Sequence, residues 1–278
     1  MDRKKHMKKM LSIIIIIFGI TSLCADEEVA LSKHDFAVDT SVGFKSEHVF
    51  RGRKELCESM VTEAMLKYQT LDKIATYVGI NSGLGMEKQA ICNHVSPYVG
   101  ILYDITDMFT LDAGYKYHFY TAMPKEYDVS AGIKIPSGIK RHSNEVYAGI
   151  AADVLLKPSL YCFYDFERRE VAIEGALGHN FDLSLLLFDG LGIDLEAKVG
   201  YDHADKPLGA SEKVNIKKAY YCYYGFDADL VYEFNQHAKA KVGIGYEGNS
   251  ANKNAWVNGH GGCNNNQVWV NASIDCSF

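Results

Sequence analysis

Beyond Leu11–Ile20, no stretch of the 278-residue chain approaches the roughly 18 consecutive apolar residues of a membrane-spanning helix. A basic surplus is missing too. The 29 Lys and Arg are outnumbered by 35 Asp and Glu, a formal charge of −6, which argues against a nucleic-acid-binding surface. With only five prolines and no linker-like shift in composition, nothing marks a domain boundary, and one domain is expected over 26–278. Ligand and nucleophile motifs are sparse. His260 and Cys263 sit in a Gly/Asn-rich loop and make two metal ligands where zinc takes three or four. Neither a metal nor a cofactor is expected.

The single apolar run belongs to a leader. Arg3, Lys4, Lys5, Lys8 and Lys9 precede it and small residues follow it to Ala25, so 1–25 reads as a secretory signal cleaved after Ala25. Cys24 raises lipidation, but Leu23 stands where a lipobox takes Gly, Ala or Ser. Losing the leader removes five basic residues and Asp2, which leaves a charge of −10. Six cysteines remain: Cys57, Cys92, Cys162, Cys222, Cys263 and Cys276. An exported chain meets oxidising conditions, and Cys57 with Cys92, in neighbouring loops on one side, is the candidate disulfide.

What fills the rest is alternation. In Gln267–Phe278, Val268, Val270, Ala272, Ile274, Cys276 and Phe278 alternate with Gln267, Trp269, Asn271, Ser273, Asp275 and Ser277, the pattern of a strand between two different solvents. Similar spans are Phe36–Phe50, Val61–Gln69, Ile74–Leu84, His94–Tyr103, Phe109–Tyr120, Glu145–Leu155, Ser159–Phe166, Val171–Leu183, Leu191–Asp202, Ala219–Phe234 and His237–Glu247. Connections alternate between tight ones, such as 71–73 and 235–236, and long ones, such as 53–59, 85–93, 203–218 and 248–266. Twelve spans, short turns on one side and long loops on the other predict an all-β, antiparallel up-and-down barrel in an outer membrane. The stretch Thr121–Ser143 alternates as well, but a thirteenth span would put Phe278 on the wrong side, so it is assigned to a long outer loop that could fold inward. Tyr103, Tyr115, Tyr117, Tyr220 and Tyr246 near span ends fit an interfacial girdle.

Two resemblances sharpen this. An aromatic last residue, Phe278, resembles the end of bacterial outer-membrane barrels, which implies recognition by the barrel insertion machinery. SVGFKSEHVFRG near the mature start, with NEVYAGIAADVLLKPSLYCFYDF and VAIEGALGHNFDL in the middle, resembles the TorF-like porin family. That resemblance implies a porin-like barrel and makes Arg51, in the VFRG segment, a residue to test.

In Leu191–Asp202 the charges Asp194, Glu196, Lys198 and Asp202 share one face, which cannot sit in lipid and must face the interior. The same parity turns Lys45, Asp112, Lys116, Asp227, Asp229, Lys239 and Lys241 inward, with Glu63, Glu145, Asp165, Glu174 and Asp275 among the others. Acids outnumber bases there about two to one, so a hydrated lumen would favour cations. Lys239 and Lys241 are expected to pair with Asp227 and Asp229 on the preceding strand. The expected function is passive diffusion of small hydrophilic solutes, without catalysis. The alternatives are a non-conducting structural barrel, cross-linked through loop cysteines, and a lipid hydrolase using His142 and Ser143. The hydrolase is disfavoured because adjacent residues on a strand point to opposite faces.

Overall fold

Alternation of this kind becomes strand in the computed structural model of the protein, and twelve strands close into one antiparallel barrel. The structure describes residues 36–86, 93–120, 128–129, 133–134, 142–184, 188–205, 219–250 and 266–278. In order the strands are β1 (Phe36–Phe50), β2 (Arg53–Leu71), β3 (Ile74–Gly85), β4 (His94–Thr106) and β5 (Phe109–Tyr120). β6 (Asp128–Val129) and β7 (Ile133–Lys134) follow and pair with each other in a separate two-stranded sheet. The barrel resumes with β8 (His142–Ala152), β9 (Ser159–Asp165), β10 (Glu170–Asp182) and β11 (Leu191–Ala204). β12 (Ala219–Asn235), β13 (Ala238–Asn249) and β14 (Asn266–Ser277) complete it. Each barrel strand pairs with the next, β5 with β8 across the small hairpin, and β14 with β1. Beyond that last ladder, Val38 and Phe278 exchange backbone hydrogen bonds of 2.8 and 3.0 Å. A closed barrel leaves no strand edge, which lipid would not tolerate.

The two faces meet different surroundings. Val78, Ile101, Ile173, Leu230 and Ile244 point out and are exposed, and Val199 and Val242 are 60% and 61% exposed. A band of bare aliphatic side chains around a barrel is what lipid selects and water would not. Val199→Arg is accordingly expected to destabilise the barrel in lipid vesicles by about 2–4 kcal/mol. A lower urea midpoint would register this, and an unchanged midpoint would mean that this face does not meet lipid. Inside, by contrast, many of the buried residues are polar or charged, among them Arg51, Arg53, Glu145, Glu170, Asp202 and Glu247.

One hairpin departs from the wall. β1 pairs with β14 only as far as Lys45, opposite Asn271, and β2 pairs with β3 only from Ser59, opposite Gly85. Past those points, among the described residues, the hairpin keeps only its own ladder, from Glu47 opposite Cys57 to Phe50 opposite Arg53. Where it leaves, Ser46 Oγ accepts the Val270 amide at 3.0 Å, and the carbonyl of Glu58, at φ +33°, accepts the Met86 amide at 2.7 Å. Arg51 and Gly52 form the turn with φ of +50° and +74°, the two-residue turn that matches strand twist. This corrects the loop expected over 53–59. Those residues form strand, and their lack of apolar alternation follows from having the polar interior, not lipid, around them. Of the expected inward loop Thr121–Ser143, most lies outside the described residues.

Candidate functional site

The hairpin tip crosses the interior at the long-loop end and meets the opposite wall. Arg51 Nη1 donates to Glu145 of β8 at 2.8 Å and lies 3.6 Å from Glu170 of β10. Arg53 grips both oxygens of Glu170, at 2.8 and 3.3 Å, and lies 3.7 Å from Asp202 of β11. Arg168, in the turn between β9 and β10, is 3.6 Å from Glu170 and 3.5 Å from Asp165, and donates to Tyr120. The turn backbone is held too. The Gly52 amide donates to Glu247, Asn249 Nδ2 donates to the Gly52 carbonyl at 2.6 Å, and Tyr221 OH donates to the Arg51 carbonyl at 2.9 Å. Lys198 closes the network on Glu247 at 3.0 Å. The Arg51 guanidinium lies 4.5 Å from the ring centre of Phe50 and 4.1 Å from that of Phe163, a cation–π sandwich. Burial alone would lower the pKa of Arg51, but the carboxylates of Glu145 and Glu170 outweigh it and hold the side chain more firmly protonated than usual.

Beneath the hairpin lies a cavity of about 650 Å³. Its walls carry Lys45, Lys116, Asp194, Glu196, Lys198, Asp227, Asp229 and Lys241. A second hollow of about 560 Å³, lined by Asp39, Glu233 and Lys239, shares Ser41, Glu63 and Asp275 with the first. Seven carboxylates and five lysines line the main cavity, a smaller excess than parity alone suggests. Lys241 pairs with Asp194 at 3.1 Å and with Asp275 at 3.6 Å, not with Asp227 or Asp229. The register explains this correction. Lys241 stands opposite Val231 on β12 and Ser273 on β14, which leaves the two preceding-strand acids displaced along the wall. Lys239 stands opposite Glu233 and Asp275. Among the described residues, Glu63, Glu196, Asp227 and Asp229 of the cavity make no ion pair, and since Glu63 accepts from Tyr98 OH at 2.7 Å, Glu196, Asp227 and Asp229 are the carboxylates left to the cavity.

Two of the eleven candidates have other surroundings. Arg51 is in the hairpin tip, away from the wall where Lys45 lies. Asp112 is wrapped by tyrosines, accepting from Tyr77 OH at 2.6 Å and Tyr161 OH at 3.1 Å, while Tyr77 and Tyr147 share a 2.6 Å bond. Those rings lie flat on the wall because small residues stand beside them. A Cβ on Gly100 would come 2.2 Å from Tyr77, and one on Gly245 would come 2.2 Å from Trp269.

Sequence reasoning passed over Arg53, Arg168, Glu170 and Glu247. Glu170 continues the inward parity of Glu174 just before its expected span, and Glu247 continues that of Lys239 and Lys241 at the last position of its own, and that continuation was the available signal. The pair Cys57 and Cys92 lies outside what is described, apart from the backbone of Cys57, which is in β2 and not in a loop. Cys162, Cys222 and Cys276 are free thiols on outward-facing strand positions. Ser143 is buried and donates to Asp165, whereas His142 stacks on Tyr117 at 6.0 Å, so the two do not form a nucleophile and base.

A third cluster sits where the hairpin faces β4. His48, Glu55 and His94 have their ligand atoms within 4.8 Å of one another, with His94 Nδ1 4.0 Å from Glu55 Oε2 and the imidazole centres 5.4 Å apart.

No protein-family model and no curated protein matches the chain, so the TorF-like likeness remains one of short sequence motifs. Among solved structures, the chain is similar to the NanC porin at 12% identity and a TM-score of 0.47, covering 86% of this chain and 98% of that one. It is also similar to the COG4313 outer membrane channel from Pseudomonas putida F1, at 11% identity, TM-score 0.49 and coverage of 91% and 100%. LpxR from Salmonella typhimurium gives 10% identity, TM-score 0.47 and coverage of 86% and 99%. At such identities the likeness is one of barrel architecture.

Proposed function

We propose that the chain is an outer-membrane, porin-like channel for small hydrophilic solutes, constricted at its long-loop end by the β1–β2 hairpin. The observation that carries this reading is the charge-lined cavity running beneath the hairpin inside a barrel whose outer face is aliphatic. In this reading the leader 1–25 is removed on export, the insertion machinery recognises Phe278, and solutes diffuse passively past Asp194, Glu196, Lys198, Asp227, Asp229, Lys239 and Lys241. Glu196, Asp227 and Asp229, lacking ion-pair partners, give the path a mild cation preference. No catalysis and no cofactor are involved.

The hairpin favours a second reading, a non-conducting structural barrel, because a tip held by buried arginine–carboxylate contacts obstructs the interior. Planar-bilayer recording of refolded mature protein under a salt gradient separates the two. Stepwise openings with a cation-selective reversal potential are the expected result, and neutralising Asp227 and Asp229 together should then shift that potential toward zero. A folded, heat-modifiable barrel that passes no current overturns the channel and leaves the structural reading.

A further inference from the structure

We infer that His48, Glu55 and His94 form a binding site for one divalent transition-metal ion of the zinc class, bridging the inward hairpin to β4. The donor set is two imidazoles and a carboxylate, the set that suits zinc in an open site with a water or solute as fourth ligand. Tetrahedral zinc with bonds of about 2.0–2.1 Å holds its ligand atoms roughly 3.4 Å apart, so atoms now within 4.8 Å need draw in by no more than roughly 1.4 Å.

Three further observations point to a ligand here. First, Glu55 is the extra residue of a bulge: His48 is opposite Leu56 and Val49 is opposite Lys54, which leaves Glu55 without a partner across the ladder. Bulges re-aim side chains, and this one brings Glu55 to the histidines. Second, His48 Nδ1 is buried and makes no hydrogen bond, an uncompensated loss of solvation for a group whose lone pair can hold a metal. Third, all three residues line the main cavity, which supplies a path for the ion and room for a fourth ligand.

The consequence lies in where the site stands. The arginines tie the hairpin to β8, β10 and β11 of the far wall, whereas an ion here would tie it to β4. A bound metal therefore adds a second anchor to the element that obstructs the lumen, and the metal concentration would bias whether the tip is seated.

The test is zinc uptake by refolded mature protein in detergent, measured by equilibrium dialysis, which needs no current and so does not depend on the channel reading. Folded wild-type protein should bind one zinc, and His48→Gln and His94→Gln should each weaken binding roughly 10- to 100-fold or more. His142→Gln, on the outer face, should leave it unchanged. Heat-modifiable migration checks that each variant is folded. Absence of zinc uptake by folded wild-type protein, or uptake unaffected by His48→Gln and His94→Gln, overturns the site. Should those variants not refold, trypsin decides on the Glu170→Gln chain, in which the hairpin is expected to open: zinc should slow its cleavage after Arg53, and an unchanged rate refutes the coupling.

Discussion

Replacing Glu170 with glutamine is expected to unseat the hairpin. Glu170 is 1% exposed and, among the described residues, is the one carboxylate reached by all of Arg51, Arg53 and Arg168. Removing its charge leaves Arg53 with Asp202 at 3.7 Å as its remaining counter-ion and brings three guanidiniums together around a neutral amide. Breaking one partner of a buried charge network costs about 3–5 kcal/mol. The barrel can avoid most of that cost, because the hairpin beyond Lys45 and Ser59 shares no ladder with β14 or β3, and swinging it into water rehydrates Arg51 and Arg53. Local opening, not loss of the barrel, is therefore the expected response. Trypsin should then cut after Arg51 and Arg53, sites buried in the wild-type protein, and single-channel current should rise. A Glu170→Gln barrel that resists trypsin and conducts as wild type does would show that Glu170 does not hold the tip. Asp202→Asn, which removes a contact of 3.7 Å from a single arginine, should show the same effects more weakly.

What could be read from the sequence and what could not divides along this same hairpin. Lipid imposes an apolar side chain at every second position, so Leu191–Asp202 and Gln267–Phe278 declare their strand and their faces directly. Arg53 to Ser59 also forms strand, but the interior is polar around it, nothing imposes alternation, and the segment looks like loop. Contacts across the lumen leave even less trace. Arg51 and Glu145 are 94 residues apart and Arg53 and Glu170 are 117 apart, and parity says only that each acid faces inward, not what meets it there. The same limit separates Lys241 from its expected partners: the register along β12 and β14 chooses Asp194 and Asp275, and register is a property of the whole sheet. His48, Glu55 and His94 fall on three strands and carry no common motif spacing, so only the folded hairpin brings them together.

Gly52→Val should unseat the tip without altering a charge. At φ +74° a β-branched residue is strained, and a Cβ there would stand 2.7 Å from the Cβ of Tyr223 and 3.1 Å from that of Asn249. Tyr223 cannot retreat, being fully buried with its hydroxyl on Glu174 at 2.8 Å, and Asn249 is held by the Gly52 carbonyl itself. Backbone strain of about 1–3 kcal/mol and overpacking of about 1–3 kcal/mol therefore act together against the seated turn. Alanine meets the same Cβ contacts but tolerates the backbone better, so trypsin sensitivity and open-channel current should rise in the order wild type, Gly52→Ala, Gly52→Val. Because Arg51, Arg53 and the acids are all retained, the reversal potential should move less than in Glu170→Gln at equal current. If both Gly52 variants match wild type in protease resistance and current, the turn does not rest against Tyr223 and the hairpin is not the constriction. If current rises only in Glu170→Gln, obstruction by the tip is electrostatic in origin, and the buried carboxylate, not the shape of the turn, closes the lumen.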